Sequence, residues 1–194
     1  MRHSLVRRSL LAAGLAAAFA FGSAQAAENY KIDPNHSFVT FEISHLGFSM
    51  LQGRFNKLEG SFSYDAAQPA ASKIAATVRT DTVDTNFAER DKHLREKYLD
   101  VKDFPEAKFV STKFTDKGDG KATLDGDLTL HGVTKPVSVA LEFVGAGDDP
   151  WGGYRRGYTG TTTVKRSDFG MTQPLGPKAD SVALKFIIEG VREK

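Results

Sequence analysis

Period-two alternation constrains this chain more than any other feature. From His36 to Leu46, Val39, Phe41, Ile43 and His45 fall on one face and Thr40, Glu42 and Ser44 on the other, as in a strand with one dry side and one wet side. Lys73 to Thr80, Lys121 to Leu130, Val137 to Phe143 and Ser181 to Val191 repeat the pattern. Glu28 to Asp33, Leu51 to Tyr64, Ala107 to Thr115 and Tyr154 to Arg166 read as further strands, the first of them short. About eight substantial strands, parted by turn signals such as Asp116-Lys117-Gly118-Asp119-Gly120, argue an all-β antiparallel sandwich or barrel.

Two strands carry irregular parity. Leu51 and Phe55 share one phase while Leu58, Phe62 and Tyr64 share the other, so a bulge is expected at Asn56-Lys57, bending the strand as barrel closure requires. In Ala107 to Thr115 the inward set is ambiguous between Val110/Phe114 and Phe109. Gly145 to Gly153, with Trp151, reads as a polar glycine-rich loop.

One run does not alternate. On a helix, Phe87, Leu94, Tyr98 and Val101 form an apolar stripe, and Glu89, Arg90, Lys92, Arg95, Glu96 and Lys97 take the wet face. Asn86, with Glu89 three residues on, fits a weak capping box. So short a helix is marginal alone, and its stripe must lie on something apolar.

The off-face charges Lys73, Arg79, Asp125, Asp127, Glu142 and Lys185 would be costly against lipid. The charged face is therefore the water face, and the apolar set points inward. A barrel of eight strands is just wide enough to be filled by side chains or to hold one small ligand. The phenylalanines could serve either arrangement, and composition does not choose.

Residues 1–26 have the pattern of an export signal: Arg2, Arg7 and Arg8, an apolar stretch from Leu10 to Gly22, and a small-x-small site at Ala24-Gln25-Ala26. Arg7-Arg8-Ser9-Leu10-Leu11 also resembles a twin-arginine signal, so the export route stays open. The expected mature domain is 27–194, delivered to the periplasm. Without those three arginines, 23 of the 26 basic residues face 24 acidic ones, which removes the electrostatic case for a nucleic-acid partner. The chain has no Cys, so stability cannot come from disulfides.

Motifs for chemistry are sparse. His36, His45, His93 and His131 show no metal-ligand spacing, so no metal or other cofactor is expected. Gly-x-Ser-x-Gly is absent, and no catalytic residue is nominated. His45 shares the inward phase of Phe41 and Ile43, as a core histidine or as a polar contact for a ligand.

Several short motifs, taken in order, carry a resemblance: Asp33-Pro34-Asn35-His36-Ser37; Phe41-Glu42-Ile43-Ser44-His45-Leu46-Gly47; Arg90-Asp91-Lys92-His93-Leu94-Arg95; Phe104-Pro105-Glu106-Ala107-Lys108-Phe109; Leu128 to Val137; and Arg166-Ser167-Asp168-Phe169-Gly170-Met171. The chain resembles the YceI-like family of bacterial periplasmic polyisoprenoid-binding proteins. That resemblance implies an eight-stranded antiparallel, lipocalin-like barrel with one short helical insertion, enclosing an elongated apolar chain: a polyisoprenoid, a prenyl quinone or a fatty-acid derivative. It implies a binding protein without a known reaction, commonly a homodimer, with transient membrane contact as a further expectation. Phe41, Ile43, Phe55, Leu58, Phe62, Leu94, Phe109, Leu128, Leu130, Phe143 and Phe186 are the expected lining. His45, Arg90, His93 and Tyr158 are the expected polar contacts, and Phe87, Leu94 and Tyr98 the expected closure by the helix. The alternatives are a hydrolase or isomerase using His45 or His131 on a lipid-like substrate, and an interaction protein with a solid core.

Overall fold

The computed structural model describes residues 27–194; the expected export signal lies outside them. The strands are β1 (Glu28–Ile32), β2 (Phe38–His45), β3 (Ser49–Phe55), β4 (Leu58–Tyr64), β5 (Lys73–Arg79), β6 (Val83–Asp84), β7 (Glu106–Gly118), β8 (Lys121–Leu130), β9 (Val133–Asp148), β10 (Tyr154–Lys165) and β11 (Ser181–Arg192). A helix, α1 (Ala88–His93), runs into one π-turn at Leu94–Tyr98. All pairings are antiparallel, and β1 closes the sheet on β11.

Eleven segments make eight walls because three walls are bent. β1 and β2 both pair with β11, β2 against Val182 to Ile187 and β1 against Gly190 to Arg192. β3 and β4 continue one another across the break at Asn56-Lys57, facing β2 and then β1. The parity switch between Phe55 and Leu58 marks this break. β5 and β6 form the third bent wall, β5 on β4 and β6 on β3.

The corner between β1 and β2 is fastened by side chains. Ser37 Oγ donates to the Glu189 carbonyl and accepts from the Glu189 N–H, 3.1 and 2.9 Å. Arg155 donates to the carboxylates of Asp33, Asp149 and Glu189. Burial by itself would raise the Asp33 carboxyl, but bonds from Arg155, His36 and the Asn35 N–H outweigh it and hold it at about 2.

The ambiguous parity of Ala107 to Thr115 is settled by a register shift between Ser111 and Lys113. One extra residue lets Phe109 and Phe114 both pack inside, while Val110 points out. The glycine-rich segment after Phe143 departs from expectation. β9 runs on to Asp148 and pairs with β10, so the loop shrinks to a turn in which Asp149 accepts from the N–H groups of Trp151 and Gly153.

The helical run also differs at its start. Asn86 is left-handed at φ 60°, a conformation Asn tolerates, and its N–H donates to Asp84 Oδ1. Phe87 then precedes the helix without a side-chain cap, so the Asn86/Glu89 capping box does not form. The buried Asp91 ties the segment down instead, accepting from the Thr85 N–H and hydroxyl.

The core is filled at one end. Tyr30, Ile32, Leu58, Phe62 and Ile188 pack there, with the Tyr30 and Phe62 rings stacked at 4.8 Å. Phe114, Ala122, Leu124 and Val139 form a second cluster, and Leu128, Val164, Phe169 and Met171 a third.

Candidate functional site: a blind apolar cavity beside the helix

β3 pairs with β6 only through Arg54 and Phe55, so its Ser49 to Gly53 edge has no strand beyond it among the described residues. The insertion supplies wall there: Phe87, Leu94, Tyr98 and Leu99 line a cavity of about 480 Å³ together with Leu51 of β3. The cavity lies in the range of small-molecule sites. Val39, Phe55, Val78 and Phe186 line its floor and pack against the filled end, so the interior is neither a through-tunnel nor a solid core.

Burial orders the lining by depth. Val39, Phe41, Val83, Leu128, Val164 and Met171 are buried, Arg90 and Arg166 are half-buried, and His45, Phe87, Glu89 and His93 are exposed at the rim. Nearly all the deep lining is aliphatic or aromatic. It offers a chain of methylenes dispersion and burial, and the buried polar side chain among it, Thr80, spends its hydroxyl proton on the Phe104 carbonyl.

Of the residues singled out in the sequence, Phe41, Ile43, His45, Phe55, Phe87, Arg90, His93, Leu94, Tyr98, Leu128, Leu130 and Phe186 meet around this cavity. Five others sit elsewhere. Leu58 and Phe62 belong to the filled end. Phe109 packs between the second and third clusters. Phe143 is 38% exposed and lies edge-on to Tyr158. Tyr158 packs on the filled end, where its hydroxyl accepts from Arg156 Nε at 2.7 Å. Burial raises that hydroxyl's pKa against the pull of Arg156.

Sequence reasoning named Phe55 and Phe186 of the floor and left out Val39, Val78 and the corner after β10. Val39, Val182 and Leu184 were legible in the alternation. Arg166, Met171 and Leu175 were not, because they reach the cavity from irregular backbone. Arg166 is fixed by donating from Nε to the Ala179 carbonyl and from Nη1 to the Met171 carbonyl.

Two histidine-bearing places lie away from the cavity. The His131 ring packs on Phe104 at 4.3 Å in the β8–β9 turn. Asp33, His36 and Glu189 bring ligand-type atoms within 4.8 Å of one another. Arg155 already bridges the two carboxylates, and this guanidinium supplies the positive charge a metal ion would bring.

The YceI-like domain model matches residues 30–190. The chain belongs to the YceI-like family. A UPF0312 protein of Ectopseudomonas mendocina is 50% identical over 192 residues, covering 97% of this chain and all of the relative. One from Shewanella baltica is 48% identical over 191 residues, with 97% of this YceI-like chain and all of the relative covered. Among solved structures, BcnA of Burkholderia cenocepacia aligns with a TM-score of 0.72 at 24% identity, over 81% of this chain and 98% of that one. A polyisoprenoid-binding domain from Saccharophagus degradans aligns at 0.63 and 16% identity, over 84% and 98%. Both share the barrel fold with this YceI-like chain.

Proposed function

We propose that the protein is a periplasmic carrier that holds an elongated apolar ligand in the half-barrel cavity for transport, storage or sequestration. The observation that carries this reading is the blind cavity of about 480 Å³, apolar in depth and polar only toward its rim. Its volume suits on the order of sixteen groups the size of a water or a methylene, at about 30 Å³ each. That matches a fatty-acid derivative, a short prenyl chain, or the inner part of a longer polyisoprenoid or prenyl quinone. The family membership and the polyisoprenoid-binding neighbour support the same class.

The carrier binds rather than converts its ligand. Among the described residues Glu89 is the one carboxylate on the lining, and it lies 3.3 Å from His93 on the exposed rim, away from where a chain's interior would sit. Residues 27–194 act as one exported domain, paired as a homodimer and touching the membrane only transiently to load. Native mass spectrometry and lipid extraction of protein purified from the periplasm test this. A bound chain lipid is expected; protein that is always empty and takes up no added fatty acid or prenol overturns it.

A further inference from the structure

Two guanidiniums line the cavity between its mostly apolar depth and its polar rim, and neither forms an ion pair among the described residues. Arg90 Nε donates to the Thr85 hydroxyl and Nη2 to the Thr85 carbonyl, both at 2.7 Å. Its nearest acid in that network, Asp91, is reached only through Thr85. Arg166 spends Nε and Nη1 on backbone carbonyls. Asp180, whose carboxyl Arg166 helps to lower, is engaged by the Ser167 N–H and hydroxyl. Glu89, the remaining charge on the lining, leans toward His93.

A half-buried cation with neutral partners beside apolar surface is costly unless something meets its charge. Elsewhere this chain supplies that partner: Arg155 has three carboxylates and Arg192 has Glu28. At the cavity no carboxylate does so among the described residues: Arg90 has only the Phe87 ring, 5.4 Å from its guanidinium carbon, and each guanidinium keeps one terminal nitrogen, Arg90 Nη1 and Arg166 Nη2, without a hydrogen bond among the described residues. Both arginines lie between the apolar depth and the exposed rim, where the polar end of a chain would stop.

We infer that the ligand carries an anionic head, a carboxylate or a phosphate, whose charge is met by Arg90 and Arg166 while its chain fills the cavity. This rests on the carrier reading and narrows it from any apolar chain to an acidic amphiphile. Fork-shaped guanidinium groups suit both anions.

The test compares hexadecanoate, hexadecyl phosphate and hexadecanol, chains of equal length, by displacement of a fluorescent fatty acid. The anionic chains are expected to bind about ten- to a hundredfold more tightly than the alcohol. The Arg90→Gln/Arg166→Gln double variant should remove that advantage, bringing the anionic chains to the affinity of hexadecanol for the same variant. The relative affinity of hexadecanoate and hexadecyl phosphate separates the two sources of the anion. Should the double variant fail to fold by circular dichroism, Arg90→Lys/Arg166→Lys keeps the charge without the fork and should retain part of the preference. Equal binding of alcohol and anions by the wild type overturns the inference while leaving the carrier reading intact. Binding of none of the three overturns the inference, and if the same protein also takes up no prenol the carrier reading falls with it.

Discussion

The floor of the cavity sets a length limit, and Phe186 is the residue through which to move it. Its ring lines the cavity on one side and packs against the filled end and the second cluster on the other. For linear fatty acids, each methylene taken into the cavity contributes about 0.8 kcal/mol, close to a fourfold gain in affinity. The gain should continue to about sixteen carbons, where a volume of about 480 Å³ is full, and then level off. Phe186→Ala deletes the ring, about 100 Å³, and should carry the plateau to chains longer by about three carbons, at a stability cost of about 3–5 kcal/mol. Competition against a fluorescent fatty acid with chains of ten to twenty-four carbons, alongside urea denaturation, reads both effects. Wild-type affinity that keeps climbing at the same slope beyond about twenty carbons would refute the blind floor. So would an unmoved plateau in a folded Phe186→Ala variant.

Three further outcomes are expected. The Asp33 carboxyl, at about 2 against its ordinary 3.8, adds stability that is complete above the ordinary value and lost as pH falls through about 2. Asp33→Asn should therefore cost on the order of 2 kcal/mol at neutral pH and flatten the decline in that acid window, as followed by urea melts at successive pH values. A Cβ on Gly53 would lie 2.4 Å from Phe41 Cζ and 2.8 Å from Thr85 Cγ2. Gly53→Ala should cost about 1–3 kcal/mol through overpacking between β3 and the insertion, and equal melts for variant and wild type would contradict that contact. Asp91→Ala strands the Thr85 N–H and hydroxyl, and a loss of about 1–3 kcal/mol is expected. Hydrogen exchange should quicken from Thr85 to Tyr98 and not in the β8–β9 hairpin; uniform quickening would mean the insertion is not a separate unit.

The barrel was legible because alternation survives the loss of every other signal. Phe41 and Ile43 reached the cavity, and Leu58 and Phe62 reached the core, on phase alone. Phase says inward or outward; it does not say how far along the axis. Leu58 and Leu128 look equivalent in sequence and lie at opposite ends of one interior. The length of the hollow was hidden for the same reason. Phe143 failed for a different one: the register shift between Gly157 and Tyr158 alters the pairing beside it, and its ring ends partly exposed. Arg166 was visible only as part of a motif. Its place depends on carbonyls of Met171 and Ala179, whose backbone follows no period. The helix was recognisable from its stripe, but its anchor was not: Asp91, four residues after Phe87 and three before Leu94, lies on the stripe itself, and a carboxylate there carries no apolar signal.

The filled end gives the cavity a direction. With Val39, Phe55, Val78 and Phe186 barring one side, the proposed ligand would go in tail first and leave by the same door. In the proposed carrier, whatever receives the ligand would therefore meet the head while the tail is still sheathed, and handover would be a withdrawal rather than a passage through. A membrane or partner that grips the head can draw the chain out a few methylenes at a time, so that little bare hydrocarbon faces water at any moment. The same geometry makes loading the reverse of delivery, and which way the chain moves is set by which side holds the tail more tightly.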